Sequence, residues 1–202
     1  MSKPKLTYFD APVSRGEECR LALTLAGVDF EDVRLKSADW ATKKAQTPFG
    51  ALPVYDEPGK PSLGQSNAIL GHVGRAHGLH PQDPFEAARH EAVMQHVEDL
   101  RLTMTPSLRM KDDAEKKKAR EVIAATYLPA WAGYAAAQIA GPFVAGAKIH
   151  VADIKLAVVT KWFVSGAVDH IPTTVFADHP KLLGLYEAFY ADPRVVAWYA
   201  RS

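Results

Sequence analysis

The chain has 202 residues, 48% hydrophobic and 23% charged, the make-up of an ordinary folded protein with room for one large domain or two small ones. Lys and Arg together number 24 against 23 Asp and Glu, a net charge of +1. That balance argues against nucleic acid or an anionic membrane as a partner. A single cysteine, Cys19, excludes an internal disulfide, and with no C-x-x-C there is no basis for dithiol redox chemistry. The opening "MSKPKLTYFD" has no apolar signal region, and no apolar run approaches about 18 residues, so the expected location is cytoplasmic.

"KLTYF" (5–9) reads as a short strand, and "SRGEECRLALTLAG" (14–27) as a helix stopping at Gly27. "VDFEDVRL" (28–35) reads as a second strand, with a twist or bulge where its apolar residues, Val28, Phe30, Val33 and Leu35, step out of alternation. These three form a βαβ unit with a right-handed crossover. A helical patch near Trp40 follows, then a strand at "LPVYD", a Gly/Pro turn, a short strand near Ser62–Leu63 and the helix "SNAILGHVGRAHG". The predicted first domain is therefore a four-stranded mixed sheet with helices, over residues 1–78.

"LHPQDP" (79–84), polar with two prolines, marks a linker, and residues 85–202 read as all-helical. A long helix runs from "FEAARHEAVMQH" until Pro106 kinks or ends it. A second long stretch is disturbed at Pro129, and shorter helices lie near 151–165, 180–191 and 193–200. The basic run Lys116–Lys118 sits among acids and reads as a solvated face. Eight histidines raise the question of a metal. His90 and His96 are six apart, however, and so point to different faces of a helix. No metal is expected.

Five segments taken in order resemble the cytosolic glutathione S-transferases, with a sigma-like stamp. "YFDAPVSRGEECR" is similar to the family's Tyr-Phe…Arg-x-Glu-x-x-Arg opening, and "ADWATKKAQTPFGALPV" to its Asp-Trp-x-x-x-Lys and Pro-Phe-Gly-x-x-Pro stretch. "LGQSNAIL" matches its Gln-Ser element. "GPFVAGAKIHVADIKLA" and "HPKLLGLYEAFYADPRVVAWYA" resemble its helical-domain cap and C-terminal helices. The resemblance implies a fold combining an α/β, thioredoxin-like first domain with an all-α second domain.

It also implies a function: glutathione as co-substrate, transferred to a hydrophobic electrophile by a homodimer. A free thiol has a pKa of about 8.5, so a hydrogen bond to its thiolate is what such an enzyme must supply. The resemblance gives that role to the Tyr8 hydroxyl, with Arg15 beside it. Ser14 is a rival, but counting back from Arg20 the alternative nucleophile-activating position falls on Val13.

The resemblance further implies a cis Leu52–Pro53 bond that turns the Leu52 backbone toward a peptide ligand, with Gln65 and Ser66 holding the γ-glutamyl carboxylate. Trp40 and Lys44, four apart on one helical face, are assigned to the glycyl carboxylate. Asp99, or its neighbour Glu98, would reach the γ-glutamyl amine across a dimer. Phe9, Leu102, Met104, Leu108 and Trp198 would line the acceptor site. In the helical cap, His150 stands where the family has Ser or Thr; Asp153 can still reach back to the cap amide, with Ile149 and Ile154 as a staple. The alternatives are a non-catalytic binding or structural protein on the same fold, and a glutathione-dependent isomerase or peroxidase.

Overall fold

The computed structural model describes residues 3–201. Four strands, β1 (Lys5–Phe9), β2 (Glu31–Leu35), β3 (Val54–Asp56) and β4 (Leu63–Gly64), form one mixed sheet in the order β2-β1-β3-β4. β1 pairs parallel with β2, from Lys5 opposite Glu31 to Phe9 opposite Leu35. It pairs antiparallel with β3, Leu6 opposite Tyr55 and Thr7 opposite Val54. Helices α1 (Ser14–Leu25), α2 (Trp40–Lys43) and α3 (Ser66–Ala76) complete this α/β part. Leu6, Leu21, Leu23, Ile69 and Leu70 are fully buried in its core.

The second strand is shorter than its sequence suggests. α1 ends in a Schellman motif: Gly27 takes φ +67°, its amide donates to Thr24 O, and the Val28 amide donates to Leu23 O. Val28 is therefore part of the helix stop, and the ladder starts only at Glu31. This explains the break in apolar alternation without a bulge.

The rest is helical: α4 (Pro84–Arg109), α5 (Asp113–Val122), α6 (Leu128–Ala137), α7 (Val151–Val164), α8 (Pro180–Tyr190) and α9 (Pro193–Tyr199). α4 runs through Pro106 to Arg109 rather than stopping there. The carbonyl that the missing proline amide would have served belongs to Leu102, whose side chain is 73% exposed, so water can satisfy it. Between α5 and α6, residues Ile123–Tyr127 form a π turn. It stands before Pro129, where an α-helix would lose a hydrogen bond and press the ring on the Ala125 carbonyl.

Two compact units result. One contains the chain up to Ala87 together with the segment from Asp192, so α9 groups with the α/β part; the other is Ala88–Ala191. Among the described residues no helix is long and apolar enough to cross a membrane.

In the helical unit, Asp153 in the first turn of α7 is fully buried. Its two oxygens accept from the amides of Val144 (2.7 Å) and His150 (2.8 Å), so it does reach back to the cap. Burial pushes its carboxyl up to about 7, against the pull of those amides.

Candidate active site

β1 places Tyr8 half-buried at the edge of the turn into α1. Its ring lies directly over Gly16: a Cβ there would stand 2.0 Å from Tyr8 Cδ1. Only glycine allows that approach. Tyr8 meets Phe9 edge to face at 5.5 Å, and Phe9 meets Trp40 in the same way at 5.8 Å. Three residues singled out from the sequence thus form one aromatic chain.

α1 opens at Ser14 with φ +58°, a left-handed conformation that costs a non-glycine residue about 1–2 kcal/mol. The backbone there takes the shape that glycine would favour. Arg15, half-buried, is the second residue of the helix.

Trp40 opens α2, and the Lys44 amide donates to its carbonyl, which confirms their i, i+4 relation; Trp40 is half-buried and Lys44 exposed. The Leu52–Pro53 bond is cis. The β3 ladder begins only at Val54, which leaves Leu52 outside strand pairing. Gln65 precedes α3 with φ +70° and ψ +115°, a conformation worth about 1–3 kcal/mol of strain, the kind that collects at ligand clamps. Gln65 is exposed and Ser66, the first residue of α3, is 4% exposed.

A buried ionic cluster supports the turn after Tyr8. The wholly buried Arg20 donates from Nε to Asp32 Oδ1 (2.9 Å), from Nη1 to Ala11 O (2.8 Å) and Glu17 Oε2 (3.3 Å), and from Nη2 to Phe9 O (3.0 Å). Its Cζ stands 5.8 Å from the Tyr8 ring centroid. Sequence reasoning assigned no role to Gly16, Glu17 or Arg20, although the Arg-x-Glu-x-x-Arg spacing held the signal.

Trp198, predicted to line an acceptor site, is engaged elsewhere in its unit. Its Nε1 donates to Glu17 Oε1 at 2.8 Å, and its ring stacks on Phe30 with centroids 6.1 Å apart.

In the helical unit the two neighbouring acids separate clearly. Glu98 points inward and accepts from Lys155 (2.5 Å) and Arg101 (2.8 Å). Asp99 is exposed, and its carboxylate has no partner among the described residues. Leu102 and Leu108 are 73% and 49% exposed. Met104 corrects the sequence reading: at 0% exposure it is core and cannot line an open acceptor site. Met104 lies two residues from Leu102, about 200° around the helix, which turns it inward.

Asp113, Asp169 and His170 bring ligand-type atoms within 4.8 Å of one another. The same carboxylates are bound by Lys116 and Arg120, so cations of the protein already occupy the cluster.

The family model described as the glutathione S-transferase N-terminal domain matches residues 4–75, and the one for the C-terminal domain matches residues 98–202. The chain is 38% identical over 130 residues to glutathione S-transferase 1 of Ascaris suum; that match spans 64% of this chain and 62% of the relative's length. It is 29% identical over 212 residues to hematopoietic prostaglandin D synthase of Gallus gallus, covering 98% of this chain and 96% of that protein. Among solved structures, prostaglandin synthase D of Nilaparvata lugens superposes with a TM-score of 0.87 at 26% identity, covering 99% of this chain and 98% of that one. With both domain models matched in order and likeness along nearly the whole chain, the protein belongs to the glutathione S-transferase family.

Proposed function

We propose that the protein is a glutathione transferase in which the Tyr8 hydroxyl donates a hydrogen bond to the glutathione sulfur and holds it as thiolate. The observation that carries this reading is the placement of Tyr8 at the end of β1, braced on Gly16 and linked through Phe9 to Trp40. Arg15, at the start of α1, adds positive charge near the sulfur. The Leu52 backbone, free of the ladder beside Pro53, pairs with the cysteinyl unit. Gln65 and Ser66 take the γ-glutamyl carboxylate at the α3 N-terminus, where backbone amides favour an anion. Trp40 and Lys44 take the glycyl carboxylate, Trp40 by its indole N–H and Lys44 by charge.

In the reaction the thiolate attacks an electrophilic carbon of an apolar acceptor. A sulfur–carbon bond forms, and the leaving group departs with its electron pair or the adduct takes up a proton. Leu102 and Leu108 are the exposed apolar candidates for contact with the acceptor in the helical unit. The protein works as a homodimer in the cytoplasm, with Asp99 offered to the γ-glutamyl amine of the neighbouring subunit. The outward carboxylate of Asp99, against the internally paired Glu98, supports that choice.

The test is Tyr8→Phe. Glutathione binding persists, the bound thiol titrates higher, and turnover falls about 10- to 100-fold, as for the loss of one hydrogen bond to a charged group. An unchanged titration removes Tyr8 from the role. The fate of glutathione in the same assay separates conjugation (thioether formed) from peroxide reduction (disulfide formed) and isomerisation (glutathione returned).

A further inference from the structure

Arg20 and Trp198 have no part in the chemistry above, yet they are joined through Glu17 beneath the turn that follows Tyr8. Two of the four acceptors of the Arg20 fork are main-chain carbonyls, Phe9 O and Ala11 O. Phe9 is the residue after Tyr8, and Ala11 lies midway to α1. The turn is also held by the ladder that ends at Phe9 opposite Leu35, by Asp10 N donating to Leu35 O, by Ala11 N donating to Phe9 O and by Arg34 Nη1 donating to Asp10 Oδ1 (3.2 Å), but only the Arg20 fork takes two of its carbonyls from the buried side. It then enters α1 through the left-handed Ser14. A buried fork on those carbonyls therefore fixes where the end of β1 points.

Glu17 orients that fork. One of its oxygens accepts from Arg20, and the other accepts from Trp198 Nε1, 181 residues away in the chain. α9 is further held by the Phe30 stack on Trp198 and by Arg194 Nη1, 3.4 Å from Leu25 O. On the other side Asp32 is shared between Arg20 and Arg34 (2.8 Å). Arg34 also pairs with Asp10 (3.2 Å), so two guanidiniums meet three carboxylates, Glu17, Asp32 and Asp10. Arg20→Lys and Trp198→Phe leave that charge count unchanged, so the effect they read is geometric.

We infer that Arg20 is a positioning residue for the Tyr8 hydroxyl, and that α9, through Trp198 and Glu17, belongs to the same device, so that the end of the chain tunes the glutathione thiolate. The inference rests on the Tyr8 reading above. Hydrogen bonds weaken steeply with misalignment, and displacements near 1 Å can cost a reaction about 100-fold. A turn that loses its fork should therefore lose part of the Tyr8 effect even while the chain remains folded.

The test is the titration of enzyme-bound glutathione by its thiolate ultraviolet absorbance, without acceptor, in wild type, Y8F, R20K, W198F and the doubles Y8F/R20K and Y8F/W198F. Lysine keeps the charge at position 20 but cannot reach four acceptors at once; phenylalanine keeps the ring at 198 but removes the indole donor. Both singles should raise the thiolate pKa and lower kcat, R20K by about tenfold and W198F by less, with KM for glutathione within about twofold of wild type. In the Y8F background neither should add to the shift.

A shifted Y8F with an unshifted, folded R20K overturns the inference alone, as does a full additive shift in either double. An unshifted Y8F overturns the Tyr8 reading and the inference together. If R20K fails to fold, W198F decides by the same criteria.

Discussion

Gly16 and Tyr8 are packed so closely that no side chain fits between them; a β-carbon on Gly16 would lie 2.0 Å from Tyr8 Cδ1 and 2.7 Å from its Cβ. The contact is with the stem and proximal ring atoms, not with a flexible tip, so Tyr8 cannot simply swing aside.

Gly16→Ala should therefore move the Tyr8 ring or the start of α1. Overpacking of this kind costs about 1–3 kcal/mol. Turnover should fall along with the melting temperature, and near-ultraviolet circular dichroism should report the displaced tyrosine. A variant with wild-type melting and wild-type turnover would show that the turn relaxes without moving Tyr8.

Asp153 predicts a pH signature. Its folded-state carboxyl is raised by burial to about 7, above its value of about 3.9 in an unfolded chain. The folded state then binds the proton more tightly. The contribution to stability is complete below about pH 4, is lost as pH rises to about 7, and is flat above. Glu57, Asp113 and Asp192 push the other way, held low mainly by hydrogen bonds from Lys60, His170 and Arg194. Comparison with Asp153→Asn isolates the term: denaturant unfolding at pH 5 and pH 8 should show wild type losing stability relative to the variant as pH rises. A pH-independent difference would mean that the two amides outweigh burial and keep Asp153 ionised.

Glu98 and Lys155 supply a third. Lys155 is wholly buried in α7, and Glu98 reaches it from α4 while also accepting from Arg101. Glu98→Gln removes the carboxylate that Lys155 and Arg101 share, and breaking a buried ion pair in this way costs about 3–5 kcal/mol. Adding Lys155→Met should recover part of it, because one of the two buried cations that Glu98 serves is then gone while Arg101 remains. Equal unfolding free energies for E98Q and the double variant would refute the coupling.

The sheet, the helices and their order were legible in the sequence because each follows from a local pattern. Period-2 and period-3.6 spacing mark the faces, and Gly27 and the prolines mark stops. The Tyr-Phe, Trp-x-x-x-Lys, Leu-Pro and Gln-Ser elements were legible as motifs, and the structure puts Tyr8, Phe9 and Trp40 in one aromatic chain. Whether Pro106 kinks or ends its helix was left open by the sequence, because proline's cost depends on whether the abandoned carbonyl meets water, which sequence does not state; the helix continues through it to Arg109. Trp198 read as an apolar wall, since nothing in "VVAWYA" reveals that its indole will meet a carboxylate on α1.

By itself the sequence determined the family, the two-part fold and the candidate residues, since composition, periodicity and short motifs are properties of neighbours in the chain. Only the tertiary structure decided which of Glu98 and Asp99 turns inward, a difference of about 100° on one helix. It also decided that α9 belongs with the α/β unit, that His96 and Trp131 each donate to the other's main-chain carbonyl, and that Arg20 grips the turn after Tyr8. These are meetings of residues from 9 to 181 positions apart. They depend on how whole elements fold back on one another, and a buried donor finds its acceptor only once that packing has excluded water.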